Sequence, residues 1–277
     1  MLMLSALSFS FMNVCVRMAG DLPVFQKSLF RNLVSLIVAL AVLLRSGEGF
    51  LPRDRRNWPI LLVRALAGSV GILCNFYAVD HLLLPNASVL NKMAPFCVVI
   101  FSALLLKEKL KLPQILMLLG AFGGALLVVK PVLGNMVLVP SLVGFSSGVL
   151  AGLAYTMVRI LGQRGERGSY IVFFFSAFSC AMVLPGAILS WEPITGAQLL
   201  ALAGTGVFAA GGQFCITAAY RYAPGREISV YDYSQVIFSA LLGFFIFGDL
   251  PDALSALGYV IIISMAVLNF RYNNRKN

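Results

Sequence analysis

This sequence predicts an all-α integral membrane fold: ten transmembrane helices arranged as two inverted five-helix repeats, with both termini cytoplasmic. Three observations carry the prediction. The chain of 277 residues is 60% hydrophobic and 12% charged, where a soluble domain carries about 25% charged residues, and its mean hydropathy is +0.90. The apolar residues recur end to end in mostly uncharged blocks, each close to the roughly 20 residues that span a bilayer as a helix. Basic residues collect in alternate links between those blocks. The alternating ten-residue segments of a transmembrane barrel are absent from the sequence.

The blocks run over about 2–19, 29–44, 59–79, 87–106, 113–130, 137–158, 170–190, 197–219, 229–247 and 253–270. The first lacks the basic leader of a cleavable signal peptide and reads as a span. The links are short, which leaves no room for a soluble domain. Arg45, Arg53, Arg55 and Arg56 follow the second block, and Lys107, Lys109 and Lys111 the fourth. Arg159, Arg164 and Arg167 follow the sixth, Arg221 and Arg226 the eighth, and Arg271, Arg275 and Lys276 close the chain. These are 15 of the 21 basic residues, and the positive-inside rule places them in the cytoplasm. The bias fits an even number of spans with both ends inside. It also gives the net charge of +10 a topological meaning, with no nucleic-acid partner implied.

The two halves resemble each other. "FMNVCVRMAG" (11–20) aligns with "LAYTMVRILG" (153–162), "ALAG" occurs at 65–68 and 201–204, and "NFYAVDHLLLP" (75–85) echoes "QFCITAAYRYAP" (213–224). Shifted by 141 positions, the stretch from Ser88 to Glu108 lies over the stretch from Ser229 to Asp249. Each half holds five segments, an odd number, so the second half enters the membrane from the opposite face. That is the inverted repeat of many secondary transporters, whose substrate site lies near the midplane between the repeats. The boundaries read as 1–131 and 137–270, with 271–277 a cytoplasmic tail.

These residues resemble the drug/metabolite transporter superfamily in its ten-span EamA-type branch. The likeness rests on the two repeats, on Arg31 opening the second segment, and on "RALAGSVGILCNFYAV" in the third. It rests also on the "SALLLKEKL" ending of the fourth and on "LLGAFGGALLVVKP" (118–131) in the fifth. The second repeat matches more loosely, with Asp249 at the place of Glu108. The resemblance implies a transporter, and helices matching segments four and nine that help line a central cavity.

Lys92 stands in an apolar stretch, and at the repeat offset Asn91-Lys92 corresponds to Asp232-Tyr233. A charge within a span costs a few kcal/mol or more and usually has a partner or a watery path. Three readings are open. Lys92 and Asp232 face the cavity and meet opposite charges on a substrate, they pair with each other, or Lys92, about five residues into its segment, snorkels to the surface. Around them stand Tyr233 and Gln235 in segment nine, Asn75 and Tyr77 in segment three, Asn13 in segment one and Tyr155 in segment six. Gln213, Thr217 and Tyr220 share one face of segment eight at i, i+4, i+7 spacing. Lys92, Asp232, Asn91, Tyr233, Asn75, Tyr77, Gln213, Thr217, Tyr220, Asn13, Tyr155 and Gln235 are the candidate substrate-binding residues.

Other signals are structural. "GTGVFAAGG" (204–212), Gly120 with Gly124, and the ladder Gly144, Gly148, Gly152 read as sites of close helix approach. One histidine, His81, and five scattered cysteines make no metal site, and no catalytic constellation or cofactor motif is evident. Glu108 and Asp249 are candidates for gate ion pairs, and Pro95 for a kink in segment four. The expected function is secondary active transport, by alternating access, of a small polar metabolite such as an amino acid or derivative. Rivals are transport of a nucleobase, nucleoside or adenosyl compound, proton-coupled efflux of an organic cation, and a non-transporting scaffold or receptor. A small-molecule substrate, the bilayer, a coupling proton or ion, and a homodimer through the fifth segment complete the expected partners. The expected location is the inner or plasma membrane.

Overall fold

The computed structural model describes residues 1–47, 49–106, 112–129, 138–222 and 231–274. They form a helical bundle with no strand among the described residues: α1 (Leu2–Met18), α2 (Val24–Arg45), α3 (Trp58–His81), α4 (Leu84–Asn91), α5 (Ala94–Leu106), α6 (Leu112–Val129), α7 (Leu138–Gln163), α8 (Gly168–Leu189), α9 (Gly196–Tyr222), α10 (Ser234–Leu242) and α11 (Ala253–Asn274). Among the described residues, seven apolar helical stretches are long enough to cross a membrane, spanning 24–45, 55–81, 84–105, 138–163, 168–189, 196–222 and 253–272. Three shorter ones, Leu2–Met18, Ile115–Gly124 and Ser234–Phe247, fall where the first, fifth and ninth segments are expected.

The helix ends follow local chemistry. Pro23 precedes α2 and Pro59 lies in the first turn of α3, where a missing N–H breaks no helical bond. Asp54 accepts from the Arg56 backbone N–H at 2.9 Å and starts the short 3-10 turn Arg55–Asn57 that leads into α3. α10 runs on as a π-helical turn, Gly243–Phe247, and stops at Gly248 with φ of +69°, a conformation that favours glycine.

Two of the expected continuous segments are broken. Segment four is α4 and α5, joined through Lys92 and Met93. The break precedes Pro95, which sits in the first turn of α5 rather than kinking a longer helix. Segment nine breaks at Tyr233, just before α10. Lys92 and Tyr233 are 141 positions apart, the offset that superimposes the two stretches.

α1 packs on α9, α3 on α7, α2 on α8, α6 on α11, and α4 on α10. Small residues set these distances. A Cβ on Gly148 would lie 2.6 Å from the Leu90 carbonyl oxygen, and one on Gly152 would lie 2.5 Å from the Cys97 Cβ. The glycine ladder of α7 therefore holds the broken α4–α5 segment by its backbone. Gly120 and Gly124 meet Met265 and Ile262 of α11. The glycine face that suggested a homodimer contact is thus used inside the chain. Leu33, Ile37, Leu66, Leu200 and Val260 are exposed, as expected of an apolar face turned to lipid. All five cysteines are free.

Candidate functional site

The broken segments bring two charges together. Lys92 Nζ lies 2.8 Å from Asp232 Oδ1, with both side chains buried. The snorkelling reading of Lys92 does not hold, because its ammonium ends on this carboxylate inside the bundle. Asp232 Oδ2 receives no hydrogen bond among the described residues. Tyr155, Tyr220 and Tyr233 lie within electrostatic reach of the Asp232 charge.

Beside this pair is a cavity of ≈ 70 Å³, room for several water molecules at ~10–15 Å³ each. Six of the sequence candidates line it: Asn13, Asn75, Asn91, Tyr155, Gln213 and Gln235. Asn75 Nδ2 donates to Asn13 Oδ1 at 3.2 Å, Asn91 Nδ2 to the Ser147 hydroxyl at 3.0 Å, and Gln213 Nε2 to the Thr217 hydroxyl at 3.1 Å. Asn13 Nδ2 and Gln235 Oε1 are buried without a partner.

The other candidates lie elsewhere. Lys92 and Asp232 are occupied with each other. Tyr233 packs edge-on against Phe96 with ring centroids 6.0 Å apart, and Tyr220 stacks on Tyr155 at 4.9 Å. Thr217 lines a second hollow of ≈ 280 Å³ that also carries Arg53, Arg167 and Arg221. Tyr77 stacks on His81 at 4.2 Å, near the end of α3.

Two charged residues and an aromatic one in the cavity lining were not among the candidates. Arg31 of α2, Arg64 of α3 and Phe175 of α8 all line it. Arg31 counts in the sequence with the first outer loop, and Arg64 with the cytoplasmic end of its segment. Their long side chains, from α2 and α3, converge on one ring, with guanidinium carbons 5.4 Å and 4.0 Å from the Phe175 centroid. The available signal was the presence of an arginine within an apolar segment at all, where it is costly.

Two ionic clusters lie at opposite ends of α3. Arg17, at the end of α1, lies 2.5 Å from Asp249, which also accepts from the Leu84 backbone N–H at 2.9 Å. Asp249 is thus ion-paired; Glu108, the other residue offered for such a pair, lies outside the described residues. At the far end, buried Glu166 accepts from the Arg53 backbone N–H and from Asn57 Nδ2, each at 3.0 Å. Arg167 donates to the carbonyls of Gly49 and Leu51. These contacts staple the α2–α3 link to the α7–α8 link.

A bundle of apolar helices, with irregular backbone beside a polar cavity, is the architecture of a membrane transporter. The chain belongs to the EamA-like transporter family, whose model matches it twice, over residues 1–130 and 140–271; it is a multi-pass membrane transporter. It is 32% identical to the pseudopaline exporter CntI of Pseudomonas aeruginosa over 94% of this chain and 91% of that one. It is 26% identical to the S-adenosylmethionine uptake transporter of Rickettsia bellii, over 99% of this chain and 93% of that one. One crystal structure superimposes with a TM-score of 0.72 at 20% identity, covering 96% of this chain and 94% of the other, a likeness of fold.

Proposed function

We propose that the protein is a secondary active transporter that moves a small polar metabolite, an amino acid or a derivative of one, by alternating access. The observation that carries this reading is the composition of the central cavity. Asn13, Arg31, Arg64, Asn75 and Asn91 come from the first family match, and Tyr155, Phe175, Gln213 and Gln235 from the second. Relatives named for pseudopaline export and S-adenosylmethionine uptake support a small metabolite as cargo.

The mechanism rests on ten spans in two inverted repeats, residues 1–131 and 137–270, with both termini cytoplasmic. The packing pairs support it: first on eighth, third on sixth, second on seventh, fourth on ninth and fifth on tenth segments exchange consistently under a two-fold axis in the membrane plane. The breaks at Lys92 and Tyr233 fit the discontinuous helices of such folds. Arg17–Asp249 then closes the outer end. The hollow of Arg53, Arg167 and Arg221 is the cytoplasmic vestibule, reached from the cavity through Gln213 and Thr217. Rocking of one repeat against the other breaks the outer latch and forms an inner seal. Lys92–Asp232 keeps the two discontinuous helices in register at the pivot.

Counterflow in proteoliposomes tests the proposal. Radiolabelled amino acids exchange across membranes containing the protein and do not cross control vesicles; a full amino-acid panel that never exchanges removes the substrate assignment. A second reading, an adenosyl compound as cargo, draws on Tyr155 in the cavity and the Rickettsia relative. It requires that adenosyl compounds compete for counterflow better than any amino acid.

A further inference from the structure

Among the described residues, the cavity lining holds two cations and no carboxylate. Arg31 and Arg64 are 1% and 2% exposed. Elsewhere the buried cations Lys27, Lys92 and Arg167 each have a carboxylate within 4 Å: Asp80, Asp232 and Glu166. No such partner meets Arg31 or Arg64 among the described residues. Arg31 donates to Asn32 Oδ1 at 2.6 Å and to Gln213 Oε1 at 3.4 Å. The Arg64 side chain makes no hydrogen bond among the described residues, and the Nε atoms of both are buried without an acceptor.

Stacking on Phe175 offsets part of the burial of two guanidiniums, but an unpaired ion in a low-dielectric interior costs more than a ring face returns. A third unfilled donor, Asn13 Nδ2, opens on the same cavity. An unfilled acceptor, Gln235 Oε1, lines it too. The seat is also built closely: a Cβ on Gly68 would lie 2.3 Å from an Arg64 terminal nitrogen and 2.8 Å from the Phe175 ring. Only glycine leaves the guanidinium its place over the ring.

We propose that Arg31 and Arg64 form an oxyanion seat for the transported metabolite, deepening the transporter reading on which it rests. The cargo carries a carboxylate or phosphate group. That group accepts hydrogen bonds from the two guanidiniums and from Asn13, while Gln235 Oε1 accepts an N–H or O–H from the body of the same molecule. Planar guanidinium forks suit both oxyanions. Lys92–Asp232 is internally neutral and adds no net charge to the seat.

The test uses purified protein in nanodiscs and probe pairs that differ in the oxyanion group: an amino acid against its carboxamide, and glycerol 3-phosphate against glycerol. Inorganic phosphate is the bare-ion control. Thermal shift and equilibrium binding are read on wild type, Arg31→Gln, Arg64→Gln and Gly68→Ala. The expected result is that the member bearing the carboxylate or phosphate stabilises wild type and the partner lacking that group does not. Each arginine variant weakens that binding by at least about tenfold, the loss of one charge-assisted hydrogen bond. Arg64→Gln keeps or raises the ligand-free melting temperature, since an uncompensated charge is gone, and so reports that the fold survives. Gly68→Ala weakens binding with both charges intact. The carboxylate and phosphate arms decide which oxyanion is carried. Partners lacking the oxyanion that stabilise wild type as well as those bearing it overturn the seat and leave the transporter reading standing, as does undiminished binding in Arg64→Gln. Wild type that binds no member of any pair, and exchanges none in proteoliposomes, overturns both.

Discussion

Lys92 and Asp232, 140 residues apart in sequence, meet at 2.8 Å beside the points where their two segments break. The pair joins α4 and α5 in one half to the start of α10 in the other. Stripping one partner leaves the other charge buried alone, which costs about 3–5 kcal/mol, whereas replacing both with neutral residues costs far less. Lys92→Met and Asp232→Asn singly lower the melting temperature in detergent steeply, and the double variant recovers most of the loss. An Asp232→Asn protein that melts like wild type removes the pair from the stability of the fold.

Gly152 lets α7 approach the backbone of α5, where a Cβ would lie 2.5 Å from the Cys97 Cβ and 2.8 Å from the Ala94 carbonyl oxygen. Those neighbours are backbone or backbone-anchored, so they yield little. Gly152→Ala costs about 1–3 kcal/mol, the usual penalty of overpacking, and Gly123→Ala, where nothing lies within 4 Å, costs almost nothing. Equal melting temperatures for the two variants contradict the close-packed ladder.

Arg17 holds Asp249 at 2.5 Å and covers the Phe247 ring, its guanidinium carbon 4.3 Å from the centroid. In the alternating-access reading this contact latches the outer end. Arg17→Gln opens it more often. A cysteine placed at Met12, which lines the cavity, in a background without the native cysteines is labelled several-fold faster by an impermeant thiol reagent added outside. Unchanged labelling disproves the latch.

Glu166 is buried and accepts three backbone or side-chain N–H groups, from Arg53, Asn57 and Arg167. Its loss leaves these donors unfilled, at about 1–3 kcal/mol for a buried orphan. Glu166→Ala lowers the melting temperature and speeds proteolysis in the α2–α3 link, while Glu192→Ala, at an exposed site, changes neither. Resistance to protease equal to wild type contradicts the staple.

The membrane class, the apolar segments and the likeness of the two halves were legible because each is written in local composition. A bilayer demands long apolar runs, and a duplicated unit leaves aligned residues. Asn13, Asn75, Asn91, Tyr155, Gln213 and Gln235 were legible as cavity residues for the same reason: a polar side chain in an apolar run is conspicuous. The arginine pair escaped. The "ALAG" match sets an offset of 136, at which Arg64 answers to Leu200, so comparison of the halves gives the cation no counterpart. Arg31 and Arg64 each lie near enough to a segment end to count as loop charges. Tyr77 fails the other way, since its spacing from His81 leads to a stack at the end of α3.

By itself the sequence determined that this chain is a helical membrane transporter built from two related halves, because hydrophobic length and repetition are properties of consecutive residues. Only the tertiary structure decided which charges cancel and which do not. Whether Lys92 meets Asp232, and whether Arg31 and Arg64 share Phe175 with no acid between them, depends on long side chains from different helices reaching one point. In a medium without water, the distances among those charged ends set their energy, and linear spacing does not encode them.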